Sequence, residues 1–323
     1  MPPLHFNLQF IQFLAEHRTV PLTKFFIAVT SLGTFNVYIF IVTLIYVAWN
    51  KQLAIRLSVV LLITASLDGL LKLIIRNPRP FVLEGTYVQK WAVSAAHASS
   101  LARGYSTPSG HAMSAAAFYT YFHRNTNNRY FKILAVAAIV LIGFSRPYLG
   151  VHYGEDVLLG WAFGIGCALI AAKYFHPFSA RWARLSSSSQ VGIAVATSLA
   201  LLLLAIVFSG GHAQVDLAEF LADAGFLTGI VIARPLELRF VNFDPKSSDV
   251  TGKIMRCLFT CSLVSGTAAI LELACGQLPA QLVWLRFLLQ YVSFAVVGTV
   301  NIFLAPLLFT RLGMAKTMPV PAN

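Results

Sequence analysis

Charge is scarce in this chain: only 11% of its 323 residues are Asp, Glu, Lys or Arg, while 57% are hydrophobic. Soluble domains carry about twice that charge fraction, so a soluble globular protein is excluded. Acidic residues are the scarcer sign, 12 against 24 basic, and they form no cluster suited to magnesium. The four cysteines (Cys167, Cys257, Cys261, Cys275) have neither the paired spacing of a disulfide framework nor that of a zinc site. Cys257 and Cys261 share a helix face, where small-residue packing is the expectation. The start, Met1 to His17, lacks the basic opening of a cleavable signal. There is no internal repeat, and no Gly/Ser linker longer than Ser186–Ser189, which reads as a turn. The net charge of +12 would suit nucleic acid. The basic residues are instead spread over short loops with no cationic domain or tail, so no nucleic-acid partner is expected.

What the chain does have is long apolar blocks near the ~20 residues that cross a bilayer. Nine are expected to span: 34–50, 53–75, 110–123, 131–147, 153–175, 190–209, 216–233, 253–275 and 282–311. Segment 216–233 is interrupted by Asp216, Glu219 and Asp223, and Pro306 kinks the last block. Ahead of them, Phe6, Phe10, Phe13 and Leu14 recur at helical spacing and predict an amphipathic interfacial helix. A second short helix is expected over Leu22–Leu32, before Gly33. Lys and Arg gather on one set of loops (Lys51, Arg56; Arg124, Arg129, Lys132; Lys173, Arg181, Arg184; Arg234, Arg239, Lys246, Lys253; Arg311, Lys316). The positive-inside rule makes that set cytoplasmic and puts the N-terminus outside and the C-terminus inside. Glu272 and Arg286 lie seven residues either side of Pro279 and are expected to pair across a hairpin, with Asp223 a competing partner.

Three motifs then fall on the outer side: Lys72-x6-Arg79-Pro80, Pro108-Ser109-Gly110-His111, and Ser145-Arg146-x5-His152-x3-Asp156. Taken singly, Lys72 and Arg79 read as flanking charges that snorkel to head groups, a reading left open for Arg76 and Lys90. Taken together, the motifs supply three fixed cations, a small hydroxyl, a flexible backbone amide and two histidines, an inventory suited to holding and displacing a phosphate. Segment 110–123 is short for a span, so its N-terminus opens below the surface. Its free N–H groups form an anion site, with Ser109 also able to cap the helix. His152 and Asp156, four apart at a helix start, share one face. Asp156 can accept from one imidazole nitrogen and leave the other's lone pair free to attack, the triad logic with histidine as nucleophile. Glu155 points about 100° away. His97 and His212 fit no motif.

The three motifs resemble those of the type-2 phosphatidic acid phosphatase superfamily, which includes glucose-6-phosphatase, sphingosine-phosphate phosphatases and vanadium haloperoxidases. The resemblance covers roughly residues 35 to 175 and matches every signature position. It implies that His152 attacks phosphorus and forms a phosphohistidine, and that His111 protonates the leaving alkoxide and then activates water. It also implies that Lys72, Arg79, Arg146, Ser109 and the Gly110 amide hold the phosphate oxygens. Fixed cations would do a metal's electrostatic work, so neither metal nor other cofactor is expected.

The expected fold is therefore an all-α, polytopic membrane helical bundle of about nine transmembrane helices with a phosphatidic acid phosphatase-like catalytic core. Its parts would be N-terminal interfacial helices (1–33), the core (34–178) and a C-terminal transmembrane bundle (179–323). The expected activity is hydrolysis of a lipid phosphate monoester or diphosphate, in the bilayer of a bacterial cytoplasmic membrane. Phe81 to Thr107 would form an interfacial cover carrying Tyr87, Trp91 and Tyr105, or a plain surface loop. A sugar-phosphate phosphatase like glucose-6-phosphatase, a lipid phosphotransferase, a vanadate haloperoxidase and a non-catalytic lipid-binding or transport protein are the alternatives. The particular lipid and the oligomeric state are left open.

Overall fold

Polar and proline-rich breaks cut the apolar sequence into helices. The computed structural model describes residues 4, 6–82, 104–209, 214–279 and 281–318. Its helices are α1 (Gln9–Glu16), α2 (Val20–Ser31), α3 (Phe35–Ala48), α4 (Lys51–Ile75), α5 (Gly110–Arg124) and α6 (Arg129–Tyr148). They continue with α7 (Gly154–Trp182), α8 (Ser187–Ser209), α9 (Gln214–Phe240), α10 (Val250–Gly276), α11 (Val283–Thr299) and α12 (Ala305–Arg311). A π-helical turn, Val300–Leu304, joins α11 to α12, and Pro80–Val82 form a 3-10 turn. Among the described residues the one β feature is an antiparallel bridge between Phe243 and Thr317. Side chains set several helix starts. Asn128 Oδ1 accepts from Tyr130 N at the head of α6, and Asp249 Oδ1 accepts from Gly252 N at the head of α10.

The chain is an integral membrane protein. Among the described residues, six stretches are long and apolar enough to cross a bilayer: Lys51–Val82, Arg129–Tyr148, Gly154–Trp182, Ser187–Phe208, Val250–Gly276 and Val283–Arg311. The bent pair α2 and α3, which meet at 57°, would make a seventh. Of the other two expected crossings, α5 has only 15 residues, and α9 carries Asp216, Glu219 and Asp223 along its 27. The expected cover falls mostly on residues 83–103, which lie outside the described residues, as do Lys90, His97 and His212.

By its contacts the chain divides into two units. One comprises Met1–Tyr38, Ile63–His176 and Leu204–Asp216; the other comprises Ile39–Leu62, Pro177–Leu203 and Leu217–Asn323. In the first, the amphipathic face expected to lie on lipid is split. Phe10 and Phe13 are exposed, whereas Ile11 is buried beside Tyr153. Leu14, Phe26 and Val29 pack with Ala115, Ile142, Tyr148 and Val151. The second helix starts at Val20, two residues early, with Pro21 in its first turn, where the missing N–H costs nothing. Small residues let α7 lie close to α5. A Cβ on Gly160 would sit 2.8 Å from Ser109 O, and one on Gly164 would overlap Met113 O.

In the second unit, buried ions are paired. Lys51 Nζ donates to Glu237 Oε1 (2.8 Å) and Phe243 O (2.8 Å), and Arg234 Nη1 donates to Glu237 Oε2 (2.5 Å). Arg256, fully buried, donates to Asp244 O and Pro245 O. The expected Glu272–Arg286 pair is absent from the four ion pairs of the described residues. Arg286 Nη2 instead donates to Leu278 O (2.6 Å), just past the end of α10, and Glu272 is exposed. A carbonyl near a helix end is a partner already in place, and equal spacing about a turn does not set the rotation of the two faces.

Two glycines of α7 provide a test of this packing. Gly164→Ala should destabilise by about 1–3 kcal/mol through overpacking, and Gly166→Ala, whose Cβ would meet nothing within 4 Å, should not. Thermal unfolding in detergent is the measurement, and equal midpoints for the two variants would refute the packing argument.

Candidate active site

All residues of the three motifs lie in the first unit. Lys72 sits in the last turn of α4, and Arg79 lies in the loop that follows. Gly110 and His111 open α5, Ser145 and Arg146 occupy the last turn of α6, and His152 precedes α7, whose first turn holds Asp156.

Asp156 is fully buried and saturated with donors. Its Oδ1 accepts from the Thr107 hydroxyl (2.5 Å), and its Oδ2 accepts from the Ser106 hydroxyl (2.5 Å) and the Tyr153 N–H (2.9 Å). His152 Nδ1 lies 3.4 Å from Oδ2 and 3.4 Å from Ser106 Oγ. That is long for a hydrogen bond, so Asp156 alone does not fix the ring. Arg79 completes the task from the other side: its Nη1 is 3.0 Å from His152 Nε2 and 3.1 Å from Val151 O, and its Nε donates to Gly104 O (3.3 Å). A guanidinium can only donate, so Nε2 is the acceptor and Nδ1 carries the proton. This tautomer leaves the lone pair on Nε2, where it accepts from Arg79. Burial first, then the Arg79, Arg146 and Lys72 charges, hold the imidazole well below the ordinary value of 6.5.

The phosphate-binding candidates gather around this ring. Lys72 Nζ donates to Asp68 Oδ2 (2.7 Å), one helical turn back. Gly110 stands over that pair, and a Cβ there would meet Asp68 Oδ2 at 2.6 Å and Lys72 Nζ at 3.3 Å. Ser109 occupies the N-cap position, yet its hydroxyl makes no capping bond. Its Oγ is buried without a partner, and its N–H donates to Asp156 O (3.0 Å). Arg146, 5% exposed, donates from Nη1 to Thr30 Oγ1 (2.6 Å), and its Nε is buried without a partner. His111 is half-buried, within coulombic reach of Arg146, His152, Lys72 and Arg79. The structure thus brings together Lys72, Arg79, Ser109, Gly110, His111, Arg146, His152 and Asp156. Two unsatisfied buried groups, Ser109 Oγ and Arg146 Nε, are ready to engage an anion.

Other residues were less visible. Asp68 carries a sequence signal, an acid four residues before Lys72 on one helix. Ser106 and Thr107 adjoin the second motif, but nothing local shows that they serve a carboxylate fifty residues on. Asn77 donates from Nδ2 to Thr107 Oγ1 (3.1 Å) and accepts Ser106 N–H at its carbonyl (2.8 Å), joining the first motif to the second. Arg76 donates to Leu73 O and Phe208 O at the end of α4. Glu155 accepts from Asn7 N–H (3.0 Å), away from the ring.

The geometry around His152 predicts its titration. With histidine labelled in 15N, NMR in detergent should show His152 neutral at pH 6.5 and protonated on Nδ1. A midpoint at or above the ordinary 6.5, or an Nε2–H tautomer, would contradict the arrangement.

Comparison with known proteins places this site in a family. Residues 53–180 match the PAP2 superfamily, and residues 221–317 match the transmembrane extension of PAP2 superfamily phosphatases. The chain is 26% identical over 172 residues to an undecaprenyl-diphosphatase of Sulfolobus acidocaldarius, covering 52% of this chain and 78% of that relative. It is 40% identical over 70 residues to phosphatidylglycerophosphatase B of Bacillus subtilis, covering 19% and 34%. Among solved structures, LpxE of Aquifex aeolicus is similar at 23% identity and a TM-score of 0.44, over 52% of this chain and 95% of that one. With both a catalytic segment and a membrane extension matched, the chain belongs to the PAP2 superfamily.

Proposed function

We propose that this protein is a metal-independent phosphatase of a membrane lipid phosphate, acting through a phosphohistidine. The observation that carries the reading is the bonding of His152: Nδ1 faces Asp156, and the Nε2 lone pair faces a cluster of side-chain cations. The relatives, an undecaprenyl-diphosphatase and a phosphatidylglycerophosphatase, support a lipid-linked phosphate as the substrate class.

In this mechanism the Nε2 lone pair attacks phosphorus while the phosphorus–ester oxygen bond breaks. The departing oxygen takes a proton from His111. Water then gives a proton to His111 and attacks the phosphohistidine, and the phosphorus–nitrogen bond breaks to free phosphate and His152. Asp156, 3.4 Å from the protonated Nδ1, supports the positive ring that forms. Lys72, Arg79, Arg146, Ser109 Oγ and the Gly110 N–H surround the phosphoryl oxygens. Phosphoryl transfer is chiefly positioning and charge stabilisation, and losing one such donor costs about 3 kcal/mol in the barrier.

The reading includes nine crossings with the site on the extracytoplasmic side. To the six clear spans it adds the bent α2–α3 pair, α5 and α9. At 1.5 Å per residue α5 is about 22 Å long, short of the ~30 Å hydrocarbon core. Its N-terminus therefore opens just beneath the head groups, within reach of a lipid phosphate drawn into the pocket.

The two histidines should separate by leaving group. His152→Ala should abolish turnover of every substrate and should never be labelled by a 32P-phosphoester. His111→Ala should lose about 10²–10⁴-fold on an alkyl phosphate and much less on an aryl phosphate, whose phenolate leaves without a proton. Rapid-quench labelling and phosphate release are the measurements. Labelled His152→Ala protein, or equal losses by His111→Ala on both substrates, would overturn the assignment.

Sidedness has its own test. In a cysteine-free background, a cysteine at Gln277 should react with an impermeant maleimide added outside cells. Cysteines at Asn127 and Ser248 should react only after permeabilisation. The reverse pattern would put the site on the cytoplasmic face.

A further inference from the structure

The family match begins at residue 53, yet residues 4–33 touch all three motifs. Leu4 N–H donates to Asn77 Oδ1 (2.9 Å) in the first motif. Arg18 Nε donates to Tyr148 O (2.7 Å), and Asn7 N–H donates to Glu155 Oε1 (3.0 Å), both within the third. Two closer contacts sit at the bend between α2 and α3. Thr30 Oγ1 accepts from Arg146 Nη1 (2.6 Å), and Gly33 backs His111 so tightly that a Cβ would stand 3.1 Å from its Cδ2 and 2.8 Å from Ile142 Cγ2. We infer that this N-terminal arm is a working part of the active site, with Thr30 positioning Arg146 and Gly33 positioning His111.

Arg146 is buried, and its side-chain hydrogen bond is to Thr30. A long side chain at a helix end has several free torsions, and one anchored nitrogen removes most of that freedom. Holding the Nη1 edge leaves Nε, which is buried without a partner, to donate to an anion. At Gly33 the constraint is space: with no Cβ, the imidazole of His111 can rest against the bend, and a side chain there would press on it as well as on Ile142. Ordinary helix packing explains Leu14, Phe26 and Val29. It does not require a hydroxyl at residue 30, and at residue 33 the missing side chain makes room for both Ile142 and His111.

The inference rests on the phosphatase reading above, and the test keeps the two apart by pairing turnover with anion binding. The variants are Thr30→Val, which keeps shape and loses the hydroxyl, Thr30→Ser, which keeps it, and Gly33→Ala. Exposed Ser31→Ala is the control. The probes are an aryl phosphate, an alkyl phosphate and orthovanadate, the last read by thermal stabilisation of the purified full chain.

Thr30→Val should weaken orthovanadate binding about tenfold and lower kcat/KM about tenfold on both substrates, as expected for one bond to a charged group. Thr30→Ser should restore both to within about threefold of wild type, and Ser31→Ala should change neither. Gly33→Ala should lose about tenfold more on the alkyl than on the aryl phosphate, since protonation of the leaving group is what a displaced His111 fails to supply. The inference falls if Thr30→Val matches wild type in vanadate binding, if Thr30→Ser fails to rescue, or if Gly33→Ala loses equally on both substrates. Should the wild type release no phosphate at all, the phosphatase reading falls instead, and the Thr30-dependent vanadate shift alone decides the role of the arm.

Discussion

The site depends on one buried carboxylate. An ionised Asp156 without partners would cost several kcal/mol to bury. It is tolerated because the Ser106 and Thr107 hydroxyls and the Tyr153 N–H all point at it. Those bonds have a geometric by-product. Satisfying the carboxylate draws segment 104–109 onto the start of α7, and Ser109 N–H closes the joint on Asp156 O. Asn77 then ties the loop of Arg79 to the same segment through Thr107. Three motifs spread between Lys72 and Asp156 are thus brought to one point by the need to satisfy one charge.

Close helix approach does the rest. Gly160 and Gly164 remove side chains from the face of α7 that meets α5, so Ser109 O and Met113 O lie where Cβ atoms would otherwise stand. In a membrane, where apolar side chains gain nothing by leaving lipid for protein, small residues are the usual means of bringing helices together. Here they set the depth of Ser109 and the start of α5 against α7. Gly110 plays a similar part over the Asp68–Lys72 pair: it leaves the amide approachable and the ion pair room to exist.

Much of this was legible in the sequence because its signals are local. Apolar blocks gave the helices, and the three motifs named eight residues that the fold gathers. What stayed hidden was long-range. Thr30 lies 116 positions from the arginine it holds, and Ser106 lies 50 from its carboxylate; neither has a periodicity to betray it. The misplaced ion pair has the same origin. Residues equidistant from a turn share a depth but not a facing, and Arg286 found a nearer partner in the Leu278 carbonyl. Spanning itself is only partly readable, since α5 is too short and α9 too charged to satisfy a rule based on length and hydropathy.

The bond between Arg79 and His152 Nε2 has a chemical consequence of its own. In the proposed mechanism this lone pair is the one that attacks, and a proton donor already occupies it, so the nucleophile would be masked. A neutral electrophile offers nothing in exchange for that donor and meets a ring already engaged. A phosphoryl group carries oxygens that the guanidinium prefers, and by taking Arg79 it bares the nitrogen that attacks it. On that mechanism the substrate's own charge would confer reactivity, and the histidine would be unveiled only for groups it can serve.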